Sequence, residues 1–132
     1  MRLASLDIGL KRIGLAITLD GDVVFPQNAI FRRETTQAVD EIKNFLEDWG
    51  IHKVIVGVPK GGSSEEVMTK EIERFVKALQ KRVDIDVEYQ NEYGSSKEAK
   101  EMTKGIFRHK KDGKIDSISA KIILERWLYD KN

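Results

Sequence analysis

The chain contains no cysteine. Disulfides, thiolate chemistry and cysteine-built zinc sites are therefore excluded. Histidine is almost as scarce: His52 and His109 are far apart in sequence, which argues against a histidine-rich metal centre, and neither is given a role. Neither sign of charge dominates, since 23 Lys and Arg face 22 Asp and Glu for a net charge of +1. The overall balance thus says nothing about a nucleic-acid partner, and only a local patch can. No apolar run reaches membrane-spanning length, and Met1–Ala4 leads into strand-like sequence without a secretory apolar core. The expectation is a cytoplasmic protein with no membrane partner.

What is present fits a single domain over residues 1–132, with 40% apolar residues for its core and a high 34% charged. Residues 2–8 and 12–19 are short apolar runs around the turn Gly9-Leu10-Lys11. They read as two antiparallel strands. Asp20-Gly21-Asp22 is a hairpin signal, and residues 23–31 make a third strand. Pro26 consigns that strand to a sheet edge, because it has no N–H to donate. The period then changes. Val39, Ile42, Phe45, Leu46 and Trp49 recur at helical spacing after Thr35 or Thr36, and Gly50 ends that helix. Residues 53–59 form a β-branched strand stopped by Pro59. A second amphipathic helix follows a Ser63 or Ser64 cap and runs to about Arg82. Residues 85–90 alternate as a fifth strand, with Asp86 and Glu88 expected to face solvent. A short helix through Ala99 and Met102, a basic mobile loop over residues 103–114 and an apolar helix over residues 115–129 complete the chain. This order predicts an α/β fold: a mixed five-stranded sheet, made of an antiparallel meander and two parallel strands extending from strand one, with helices on both faces.

Sites in such sheets form at the C-terminal ends of parallel strands. Asp7 lies there, and a carboxylate inside an apolar run is costly unless something pairs with it. Glu92 follows strand five, and Asp116 stands at the head of the last helix. Three carboxylates with no competing His or Cys make an oxygen-only site, suited to Mg²⁺ or Mn²⁺ and to phosphodiester cleavage. Lys11 and Arg12 are placed to hold phosphate, while Lys104, Arg108, Lys110, Lys111 and Lys114 can follow a longer backbone. Phe107 offers one base-stacking surface. Plain structural readings stand beside these. Asp7 can salt-bridge to Lys11 or Arg12, Asp116 can be a helix cap, and Lys11, Arg12 and the basic loop can be solvated charges.

Asp7-Ile8-Gly9-Leu10-Lys11-Arg12-Ile13-Gly14-Leu15-Ala16 resembles the opening Asp-x-Gly-x-Lys-Arg-Ile-Gly-x-Ala signature of the YqgF/RuvX family. Val54–Pro59 resembles that family's Gly-x-Pro strand, and Lys114-Ile115-Asp116-Ser117-Ile118-Ser119-Ala120 its Lys-x-Asp-Ser-x-x-Ala segment. Glu92 stands at the family's Asp-Glu-Arg motif, with Asn91 and Tyr93 in place of the charged flanks. The resemblance spans nearly the whole chain. It implies a ribonuclease H-like fold in which Asp7, Glu92 and Asp116 form the metal site. It also implies a nuclease acting on pre-rRNA, at the 5′ end of pre-16S rRNA, or on branched DNA as a Holliday junction resolvase. Either a monomer or a homodimer is compatible with this. A non-catalytic nucleic-acid-binding module is a further reading, motivated by the altered surroundings of Glu92. An actin-like ATP-handling protein is another, since those also open with Asp-x-Gly.

Overall fold

The computed structural model describes residues 1–59, 65–91 and 113–131. Three strands open the chain: β1 (Leu3–Ile8), β2 (Arg12–Thr18) and β3 (Phe25–Phe31). Helix α1 (Thr35–Trp49), strand β4 (Lys53–Val58), helix α2 (Glu65–Arg82), strand β5 (Asp86–Asn91) and helix α3 (Lys114–Lys131) follow. The strands lie in the order β3-β2-β1-β4-β5. β1 is antiparallel to β2 and parallel to β4, and β4 is parallel to β5. The expected meander and parallel extension are therefore present. Pro26 does lie on an edge strand. The expected short helix through Ala99 and Met102, and all of the expected basic loop but Gly113 and Lys114, lie outside the described residues.

Local chemistry explains the element ends. β3 starts at Phe25 rather than Val23, because the Asp20 carboxylate holds the turn closed. Its Oδ1 accepts from the N–H groups of Asp22 (2.9 Å) and Val23 (3.1 Å). Those bonds favour the ionised form, so the Asp20 pKa is lowered. α1 begins after Glu34, whose N–H donates to Gln37 Oε1 at 3.2 Å in a capping box. Gly50 ends it in a left-handed conformation, with φ 62°.

Strand alternation divides the core into two layers. Ala4, Leu6 and Ile8 of β1 and Ile13, Leu15 and Ile17 of β2 face α1 and α2, with Ile42, Leu46, Phe75 and Leu79 in the same cluster. Leu3, Ala16 and Ile55 face the other way, onto Ala120, Ile123, Leu124 and Trp127 of α3. Each face of the sheet thus carries helices. Glu88 departs from the sequence expectation. It sits on the α3 side, half-buried, with Oε2 taking a 2.6 Å ion pair from Lys53 and Oε1 3.5 Å from the Trp127 indole nitrogen. The C-terminal end of α3 covers this part of the edge strand, so the residue is not left to solvent. Asp86 is exposed, as expected.

Candidate active site

Ser5 is the first fixed point. Its buried Oγ donates to the Ala120 carbonyl oxygen at 2.6 Å, pinning the middle of β1 to α3. Two residues further along β1, on the same face, comes Asp7. One turn back towards the start of α3 comes Asp116. Two strand residues advance about 6.7 Å and four helix residues about 6 Å. The two steps match, so Asp7 and Asp116 arrive at the same level of the sheet–helix interface.

Gly14 makes this approach possible. It is the β2 partner of Asp7 in the antiparallel register. A β-carbon at Gly14 would collide with the Asp116 carbonyl and lie 2.7 Å from the Ser117 nitrogen. The backbone of the α3 head therefore rests directly on β2 beside Asp7. Ser117 secures it: its buried Oγ accepts from the Leu15 N–H at 3.3 Å, where the β2–β3 register shifts. Gly113 adopts φ 88° immediately before the helix, and its carbonyl accepts from the Ser117 N–H at 3.0 Å. Gly113, not Asp116, thus occupies the capping position. Asp116 lies in the first turn, where the helix dipole favours an anion.

Arg12 also faces α3, and its Nε donates to Asp116 Oδ2 at 2.7 Å, with both side chains about one-quarter exposed (26% and 27%). Its guanidinium is therefore committed to a carboxylate across 104 residues of sequence, rather than standing as a plain turn charge. Lys11 is exposed at the tip of the β1–β2 turn, and Lys114 is exposed at the start of α3. Glu92, Lys104, Arg108, Lys110 and Lys111 lie outside the described residues. Asn91, immediately before Glu92, pairs with Val58 at the end of β4.

The donor set that is described consists of carboxylate oxygens, the chemistry of a hard divalent cation. Among the described residues no cluster of three His, Cys, Asp or Glu is assembled, so a metal ion held by Asp7 and Asp116 would need a further donor. Sequence reasoning missed Ser5 and Ser117 as the pins that set this geometry. Ser117 stands inside the quoted Asp-Ser segment, but a serine in an apolar helix carries no signal of its strand partner.

Comparison with known proteins gives the family and the fold. The profile of the RuvX family, described as Holliday junction resolvase, matches residues 1–130. A Sulfurovum protein is 62% identical over 128 residues, covering 97% of this chain and 98% of its own length. A Sulfurimonas denitrificans protein is 41% identical over 131 residues, covering 99% of each. Both are named as candidate pre-16S rRNA nucleases. Among solved structures, Thermus thermophilus RuvC in complex with a Holliday junction substrate has the same fold, with a TM-score of 0.64 at 12% identity over 99% of this chain and 95% of that one.

Proposed function

Since the chain belongs to the RuvX family of Holliday junction resolvases, we propose that it is a metal-dependent nuclease that cleaves a phosphodiester bond in the maturation of pre-16S rRNA. One observation supports the nuclease reading: the backbone of Asp116 rests on Gly14, the strand partner of Asp7, so the chain segments carrying the two aspartates lie side by side. The choice of RNA rests on the names of the full-length relatives.

Asp7 and Asp116 would hold Mg²⁺ or Mn²⁺, with Glu92 completing the set from the segment after β5. The ion supplies Lewis-acid stabilisation of the charge that develops on the phosphoryl oxygens. The protein's own groups do the rest. Ser117 and Ser5 tie α3 to the strands and thereby hold the segments that carry the two aspartates, so little reorganisation is needed when substrate binds. Arg12 offsets the charge of Asp116 and so limits carboxylate repulsion. Lys11, exposed beside this pair, takes a non-bridging oxygen of the substrate phosphate. Lys104, Arg108, Lys110, Lys111 and Lys114 extend the contact along the nucleic-acid backbone.

The test uses a 5′-extended 16S precursor with millimolar Mg²⁺ or Mn²⁺. The wild-type chain is expected to trim it, and Asp7→Asn to lose about 100-fold or more in rate. No metal-dependent cleavage by the wild-type chain sinks the nuclease reading. RNA binding that survives Asp7→Asn without any cleavage selects a non-catalytic binding module instead. The family description favours one second reading, resolution of branched DNA. Cleavage of four-way junctions in preference to the precursor would select it.

A further inference from the structure

Arg32 lies one residue beyond β3 and is the least exposed charged side chain of the described ion pairs, at 9%. A guanidinium withdrawn from water this far is tolerated only when its donors are used. Here they are spread over three elements. Nη2 donates to Glu71 Oε1 of α2 at 2.9 Å and to Thr35 Oγ1 of α1 at 3.3 Å. Nη1 donates to the Gly9 carbonyl oxygen at 3.0 Å. The group also lies 4.8 Å from the centroid of the Phe75 ring. Its backbone N–H adds a further tie, to the Lys11 carbonyl oxygen at 2.8 Å.

Two of these bonds end on the β1–β2 turn, at Gly9 and Lys11, which lie between Asp7 and Arg12. The turn closes on itself through one bond, from the Gly9 N–H to the Arg12 carbonyl at 2.9 Å. Arg32 is thus the post to which this turn is fastened, and Glu71 anchors the post to α2. Glu71 is itself fixed, because its second oxygen accepts from Arg74 at 3.0 Å. The consequence for Lys11 is specific. Its backbone is held while its side chain is exposed, which is how a flexible ammonium is aimed without being used up.

We propose that Arg32 is a positioning residue for the nuclease reaction: it sets the β1–β2 turn so that Lys11 meets the substrate phosphate beside Asp7. The inference rests on the reading of that turn as the phosphate-holding part of a nuclease site. Arg32 itself touches no substrate. Its backbone N–H holds the Lys11 carbonyl and its side chain the Gly9 carbonyl; a lysine keeps the first tie but cannot replace the second, because an ammonium lacks the planar fork that serves Gly9 and Glu71 together.

The test is a double-mutant cycle of Arg32→Lys with Lys11→Ala, read by cleavage kinetics on the 5′-extended precursor, together with amide exchange at Gly9. Arg32→Lys is expected to lower kcat about tenfold with a much smaller change in KM, as misplacement of a positioned group does. Gly9 exchange should quicken about tenfold as the turn loosens. In the Lys11→Ala background the kinetic effect of Arg32→Lys should vanish, because the residue through which it acts has gone. Glu71→Gln, which leaves Arg32 in place, should move kcat and exchange in the same direction by a smaller factor, and it takes over the test if Arg32→Lys fails to fold. Lys53→Met removes an ion pair far from the turn and should leave kcat unchanged. Wild-type kcat and Gly9 exchange in Arg32→Lys, or full additivity with Lys11→Ala, overturns the proposal. A wild-type chain that cleaves neither precursor nor junction overturns the nuclease reading instead, and the exchange measurement then still decides whether Arg32 fastens the turn.

Discussion

At the scale of single residues, the smallest side chain has the largest consequence. Gly14 lets the head of α3 lie on β2, and any β-carbon there meets backbone atoms that cannot rotate away. Gly14→Ala should therefore cost about 1–3 kcal/mol of stability and also lift Asp116 away from Asp7. Thermal unfolding and the precursor assay should fall together; a stable, fully active Gly14→Ala protein contradicts the packing. Arg12 behaves differently. Its ion pair with Asp116 is partly solvated, so Arg12→Ala should cost less than about 1 kcal/mol of stability. Its effect belongs in catalysis, where Asp116 would carry an uncompensated charge. A sizeable drop in kcat/KM beside a nearly unchanged melting temperature is the expected pattern. These roles were unevenly legible. Asp7 announced itself, as a charge in an apolar run does. Asp116 taken alone read more readily as a helix cap, and only the Gly113 carbonyl and the Arg12 contact separate the two readings. Arg32 gave no local signal, because an arginine after an edge strand looks like any surface charge until three other elements close over it.

At the scale of elements, α3 is the piece whose placement matters most, and it is held at both ends. Gly14, Ser117 and Ser5 fix its head and first turns. Its tail is held by Glu88 of β5, which meets Trp127 and Lys131 as well as Lys53. The hydrogen bond from Lys53 lowers the Glu88 pKa and, reciprocally, raises that of Lys53. A depressed carboxylate adds stability above its unfolded pKa, and that stability is lost as pH falls through the folded value. A raised lysine adds stability below its unfolded pKa, lost as pH rises through the folded value. The pair should thus stabilise the protein throughout the range between the ordinary glutamate and lysine pKa values and fade beyond either end. Glu88→Gln should lower the melting temperature at pH 7 and narrow its gap to wild type as pH falls below the ordinary glutamate range, where wild-type Glu88 becomes protonated as well. A constant gap across that range rules out the ion pair as the source. Strand five read from its alternation as a ribbon with Asp86 and Glu88 in water. Period two identifies the face a residue takes, but it does not say whether a helix from the far end of the chain covers that face.

For the molecule as a whole, one sheet is shared by two apolar layers, and the two tryptophans report on them separately. Trp49 packs against the α1–α2 layer, and Trp127 lies in the α3 layer. Because β1 and β2 contribute alternate residues to both layers, neither can come apart while the other stays intact. Trp49→Phe and Trp127→Phe variants, each retaining one reporter, should unfold with coincident midpoints in denaturant. Ile42→Ala in one layer and Ile123→Ala in the other should each cost about 2–5 kcal/mol and shift both reporters alike. Separate midpoints contradict a shared core. The sequence alone determined the five strands, the three described helices, their order, the edge position of β3 and the two carboxylates to watch, because periodicity, turn chemistry and a charge in an apolar run are local properties. Only the tertiary structure decided that the Asp116 backbone settles on the strand partner of Asp7, that Arg12 answers Asp116, and that Arg32 fastens the β1–β2 turn. The contacts of Arg32 depend on how α1 and α2 close over the turn, and those of Asp116 on how far α3 slides along β1 and how closely it settles on β2. That position is set by the sum of backbone sterics at Gly14 and hydrogen bonds from Ser5 and to Ser117, which no window of neighbouring residues contains.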